Sequence, residues 1–174
     1  MVWDTNTVRP KFPPLRHEET LAAIAFSEDG RYLAFTVNAG GLSELHVRDL
    51  KRDKAVAVPK LPVGIVSDLR FHPSAPRLGF VPNGPRSPSD VVSFEIGADA
   101  LTRWTRSETG GLDATKFTEP SVVEFASFDG RKIPAFYYRA TPKKPGAKVP
   151  VLISIHGGPE SQAQPAFNPL TEFY

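Results

Sequence analysis

The chain has no cysteine. Disulfides, thiolate nucleophiles and thiolate metal sites are thereby excluded. The absence fits a reducing compartment, and a cytoplasmic location is the expectation. Charge of one sign is also lacking: 21 basic side chains face 19 acidic ones, a net charge of +2. That is too little for an electrostatic footprint on nucleic acid. The basic clusters Lys51-Arg52-Asp53-Lys54 and Lys143-Lys144 sit in polar stretches and read as solvated loops. No apolar run approaches the ~18 residues of a membrane helix. The N-terminus, Met1 to Asn6, has neither the basic head nor the apolar core of a signal peptide. Neither nucleic acid nor a membrane is expected as a partner, and nothing in the sequence fixes an oligomeric state.

Motifs are missing as well. There is no P-loop, no G-x-G-x-x-G, no EF-hand loop and no histidine pair at metal-ligand spacing. No cofactor and no metal are expected. His17, His46 and His72 read as surface or strand histidines. Glu18-Glu19 and Glu28-Asp29 read as solvated turn residues.

What the chain does have is turns. It holds 13 glycines and 18 prolines in 174 residues, with an ordinary 40% of hydrophobic side chains. That share of Gly and Pro stays below the roughly 25–30% of a disordered chain, and reads as many short strands joined by tight turns. A repeat organises them. Ile24-Ala25-Phe26 through Leu33-Ala34-Phe35 is echoed by Leu69-Arg70-Phe71 through Leu78-Gly79-Phe80, at an offset of 45 residues. Ser43 to Val47 is echoed by Ser89 to Ser93 at an offset of 46, which one extra loop residue explains. Leu33, Phe35 and Val37 alternate with Tyr32, Ala34 and Thr36, the period of a strand. Val92, Phe94 and Ile96 repeat the alternation, and Asp29-Gly30 is a hairpin signal. Periods of about 40–45 residues with several strands each mark β-propeller blades. Rings need typically 4–8 blades, so earlier blades are expected outside this chain. Residues 1–20, with Pro10, Pro13 and Pro14, read as a loop or a ragged end.

The grammar changes after the turn-like stretch Gly110 to Pro120. Val122 to Phe128 and Ile133 to Arg139 read as strands around the turn Asp129-Gly130. A polar loop leads to Val149-Pro150-Val151-Leu152-Ile153-Ser154-Ile155, which reads as a buried strand, and then to His156-Gly157-Gly158-Pro159. No amphipathic helix is convincing; residues 160–174 could begin one, but Pro165 and Pro169 count against it.

Together these residues resemble the prolyl oligopeptidase family of serine peptidases, and its acylaminoacyl-peptidase-like branch in particular. Leu101 to Thr105 is similar to the last propeller strand of that family. Phe125 to Pro134 is similar to the hairpin entering its hydrolase domain, and His156 to Glu160 to its oxyanion loop. The resemblance covers roughly residues 20–174. It implies a chain that is mostly β, with the C-terminal part of a β-propeller over residues 1–118. Residues 119–174 would then be the incomplete start of an α/β-hydrolase domain. It implies hydrolysis of short peptides by a Ser-Asp-His triad, with the propeller limiting substrate size.

The resemblance also assigns roles. Negative charge develops on the carbonyl oxygen under attack, and fixed N–H donors stabilise it. Gly158 would supply such a donor, Gly157 would shape the turn, and Pro159, without an N–H, would stiffen it. His156 precedes any nucleophile, whereas the base of an α/β-hydrolase follows it. It reads as orienting the loop. Some branches carry a tyrosine at this place, and this sequence departs from them. The nucleophile elbow G-x-S-x-G is absent. Gly41-Leu42-Ser43-Glu44-Leu45 lacks its last glycine, and Ser161 has no elbow. The expectation is a fragment whose triad lies outside it and which is inactive alone. Two alternatives remain: a non-catalytic β-propeller binding module, and an α/β-hydrolase of esterase type.

Overall fold

A computed structural model describes residues 3, 4, 6–10, 20–140, 142, 144, 146–158 and 160–173. Pro13, Pro14, His17, Glu18, Glu19, Lys143 and Pro159 lie outside the described residues.

The described chain is mostly β. Strands β1 (Trp3–Asp4) and β2 (Arg9–Pro10) pair antiparallel, so part of the expected ragged end is a small hairpin. The first four-stranded sheet follows as a meander of β3 (Thr20–Phe26), β4 (Tyr32–Ala39), β5 (Leu42–Asp49) and β6 (Lys54–Val56). The second repeats it with β7 (Ile65–Phe71), β8 (Arg77–Asn83), β9 (Val92–Glu95) and β10 (Thr102–Arg103). These are blade-like sheets, and their starts keep the 45-residue spacing of the sequence repeat. Even an irregularity is repeated. The register slips between Leu21 and Ala23 in β3 and between Ser67 and Arg70 in β7. The change of offset to 46 also has a place. Gly84 bridges Ser87, while Phe80 pairs with Val92. One extra residue therefore lies among 88–91, a bulge on the incoming side of β9.

The turn chemistry is shared by sheets and hairpin. In Ser27-Glu28-Asp29-Gly30-Arg31 the Gly30 N–H donates to Ser27 O at 2.9 Å, and Gly30 has φ 63°. In Ser127-Phe128-Asp129-Gly130-Arg131 the Gly130 N–H donates to Ser127 O at 3.0 Å, with φ 82°. In each, the arginine N–H donates to the Asp side chain. Glycine takes the left-handed conformation there without a Cβ penalty.

The way the two sheets stack decides the architecture. Their shared core joins Tyr32, Ala34, Leu45 and Val47 of the first sheet to Leu78, Phe80, Val92 and Phe94 of the second. The repeat partners of Leu78 and Phe80 are Leu33 and Phe35, which belong to a separate cluster on the other face of the first sheet. The partner of Ala34 is Gly79, on the far face of the second. Opposite faces of the repeat therefore meet. This is a heterologous contact, which can propagate from unit to unit, whereas like-on-like faces would close into a pair. Phe80 and Phe94 meet edge to face at 6.2 Å within it, a favoured aromatic arrangement.

Beyond a 3-10 turn at Ala114–Lys116, strands β11 (Ser121–Ala126) and β12 (Lys132–Tyr137) form the expected hairpin. It is thinly covered: every residue of β11 is exposed. The short helix α1 (Pro169–Phe173) follows. Pro169 was expected to count against a helix here; it opens one instead. At the first helical position its missing N–H costs nothing. Asn168 caps the turn by accepting the Leu170 N–H at 2.9 Å.

Candidate functional site

The sequence places the chemistry at His156, Gly157 and Gly158, behind a buried strand. Here the structure departs from the expectation. Residues 149–155 form no strand, and Val151, Ile153 and Ile155 are 83%, 78% and 84% exposed. Alternating β-branched residues create the tendency to extend. Burial needs strands on both edges and layers on both faces. Among the described residues no strand pairs with this segment.

The turn itself is open. His156, Gly157 and Gly158 are all exposed. Gly158 has φ 78°, in the left-handed region that favours glycine. Gly157 does not, and a Cβ on either would meet nothing within 4 Å. The bend therefore depends on Gly158. Its N–H has no hydrogen-bond partner among the described residues. The His156 Nδ1 lies 3.4 Å from Gly157 O. A carbonyl only accepts, so this contact calls for the Nδ1–H tautomer.

No Ser-His-Asp group gathers around the turn among the described residues. His72 has Ser74 beside it, with Oγ 3.5 Å from Nδ1. That nitrogen already accepts the Ser74 backbone N–H at 3.2 Å, which makes the pair a local turn. His46 stacks on Phe35 at 5.1 Å and stands 3.6 Å from Glu44. Ser43, in the motif that lacks its last glycine, is structural: its Oγ accepts the Val66 N–H at 3.0 Å and joins the two sheets.

Sequence reasoning missed the polar groups that hold this scaffold. The Arg31 guanidinium donates twice to Asp49 Oδ2, at 3.1 and 2.9 Å. Asp49 Oδ1 accepts the N–H groups of Lys51 and Arg52, both at 3.0 Å. Burial pushes the Asp49 carboxyl up, but the Arg31 and Arg52 hydrogen bonds outweigh it and hold it below its ordinary range. Arg77 clasps Glu95 at the matching end of the second sheet. Asp49 and Glu95 are 46 residues apart and hold equivalent places, whereas Arg77 stands one position beyond the repeat place of Arg31, which Pro76 occupies. The recurring acid was the available signal.

Asp90, 3% exposed, has no such counterpart. Its Oδ1 accepts the Thr105 hydroxyl and the Ser107 N–H, both at 2.8 Å, and Arg103 pairs with Oδ2. Burial raises its pKa, and the bonds from Thr105, Ser107 and Arg103 overcome that and lower it. This carboxylate pins the strand expected at 101–105, whose ladder continues as Trp104 N–H donates to Val91 O at 2.9 Å.

No protein-family model matches the chain, and no curated protein matches it. Solved structures do. A puromycin-hydrolysing peptidase of Mycobacterium tuberculosis is similar over 84% of this chain, at 20% identity and a TM-score of 0.66. Prolyl oligopeptidase B of Galerina marginata is similar over 71%, at 18% identity and a TM-score of 0.59. A prolyl endopeptidase studied for inter-domain dynamics is similar over 71%, at 21% identity and a TM-score of 0.54. The chain spans 23%, 18% and 18% of these three chains in turn. The fold of the described chain is thus similar to a portion, about a fifth, of prolyl oligopeptidase-type structures.

Proposed function

We propose that this chain carries the end of a β-propeller, residues 1–118, and the opening of a serine-peptidase domain, residues 119–174. The order of the parts carries the reading: two blade-like sheets stacked by opposite faces, then a hairpin, then an apolar segment ending in a left-handed glycine turn. The fold likeness to portions of peptidase structures supports the same order. In this reading the Gly158 N–H donates to the oxyanion of a short peptide substrate. Gly157 lets the backbone approach, and His156 orients the turn. The nucleophile, acid and base come from residues outside those described. No cofactor or metal enters, and the location is cytoplasmic.

Residues 149–155 then wait for neighbouring strands. Their exposed apolar side chains and unpaired backbone are what a central strand presents before its partners arrive. The test is the coding sequence beyond the Tyr174 codon. A frame continuing into G-x-S-x-G, then Asp, then His supports the peptidase. In such a longer chain, Gly158→Pro removes the donor and also breaks the left-handed turn, so it should lower kcat by at least about 10²–10³-fold. A stop codon at that point, or an unchanged kcat, would overturn it.

A further inference from the structure

The segment after the open turn is anchored to both sheets. Asn38, near the end of β4, donates through Nδ2 to Gln162 Oε1 at 2.7 Å. Asn83, at the end of β8, accepts the Phe167 N–H on Oδ1 at 2.7 Å. These asparagines are 45 residues apart and occupy the same place in the repeat. Between the two contacts Pro165 is fully buried. Five residues reach at most about 17 Å, enough to cross the roughly 10 Å between stacked sheets. The far end is held as well. The Phe167 ring lies 5.7 Å from Phe117, and Glu172 Oε2 accepts the Thr118 N–H at 3.1 Å. Both partners lie within four residues of the start of β11.

The tip of the first sheet is shaped for this crossing. A Cβ on Gly41 would stand 2.7 Å from Ala163 O and 3.1 Å from the Phe136 ring of β12. Gly40 beside it is also left-handed, with φ 62°, yet meets nothing within 4 Å. Of these two glycines, only Gly41, under the crossing, is closed to a side chain.

We propose that residues 162–173 are a strap that sets the position of the β11–β12 hairpin on the two sheets, with Asn38, Asn83 and Gly41 as its positioning residues. The strap releases as one unit with the hairpin. It rests on these contacts and not on the peptidase reading.

Hydrogen exchange of the chain at submicromolar concentration, read by peptide mass spectrometry, tests it. In the double variant Asn38→Ala/Asn83→Ala, exchange should rise about tenfold in 121–137 and 160–173 together, with 32–49 and 77–95 unchanged. Gly41→Ala should do the same, and Gly40→Ala, with strain but no clash, should not. Gln162→Ala/Glu172→Ala, which alters no sheet residue, must reproduce the pattern, and so guards against variants that merely unfold. Faster exchange at 162–167 alone, equal effects of Gly40→Ala and Gly41→Ala, or a hairpin unprotected in the parent chain would each overturn the proposal.

Discussion

Gly64 and Gly84 lie backbone against backbone at the edge of the second sheet. A Cβ on Gly64 would stand 2.2 Å from Asn83 O, and one on Gly84 would stand 2.2 Å from Val63 O. Neither atom can retreat, since both are main chain. Gly84→Ala should therefore cost at least the 1–3 kcal/mol of an overpacked site. Gly97, with φ 91° and open space around it, supplies the control. Gly97→Ala should cost only the roughly 1–2 kcal/mol of a left-handed alanine. Urea melts of the two variants compare them directly, and equal losses would refute the contact.

Thr36 is the second case. Its side chain is fully buried in β4, and its hydroxyl has no partner among the described residues. Its repeat partner in β8 is Val81. An unsatisfied buried polar group costs about 1–3 kcal/mol. Thr36→Val keeps the shape and removes the hydroxyl, so the unfolding midpoint should rise by a comparable free energy. A lower midpoint would show that the hydroxyl is satisfied in solution.

Acid should loosen the end of the second sheet. The Asp90 carboxyl is held low in the folded chain. A group lowered by folding adds stability above its unfolded value, near 3.9, and loses it as pH falls through the folded value. Stability should therefore drop below about pH 4. Asp90→Asn should flatten that drop while lowering stability at pH 7. Chemical melts between pH 2.5 and 7 read both effects; an unchanged acid limb would place the titration elsewhere.

The purified chain should not turn over peptide p-nitroanilides. Loss of the nucleophile alone costs about 10⁶ in rate, and no triad gathers among the described residues. Measurable, concentration-proportional turnover would contradict this.

The same chain should self-associate, because Val151, Ile153 and Ile155 lie exposed with no strand paired to them among the described residues, a known aggregation hazard. Sedimentation should show growth with concentration, and Val151→Lys/Ile153→Lys should suppress it.

The parts legible in the sequence were those written as local pattern. Phe35 and Phe80 recur at a fixed offset because each sheet buries that position of its second strand, and Phe26 and Phe71 recur beside them although Phe26 is exposed. Gly30 and Gly130 announce turns because few other residues take that φ. Residues 149–155 misled for the converse reason: periodicity says which faces of a strand are apolar, not whether anything lies against them. The extra residue among 88–91 was legible as the change of offset, but the Asp90 cluster and the strap contacts of Asn38 and Asn83 were invisible for another. Asp90 meets Arg103 and Thr105 only once β10 has paired with β9, and the two asparagines meet the strap only once the chain has crossed back over the sheets. Pro169 was misread because its effect depends on position within the helix, which a proline count does not give.

Stacking by opposite faces gives the assembly a direction, like courses of brick laid on one another. Each sheet is stabilised by its neighbour and hardly at all by sheets further off. Stability then accumulates link by link, and damage stays local. A lesion in Phe80 should weaken the tie to the first sheet and loosen the second, while the first keeps its own Leu33, Phe35 and Val37 cluster intact. Such a molecule comes apart from its ends inward.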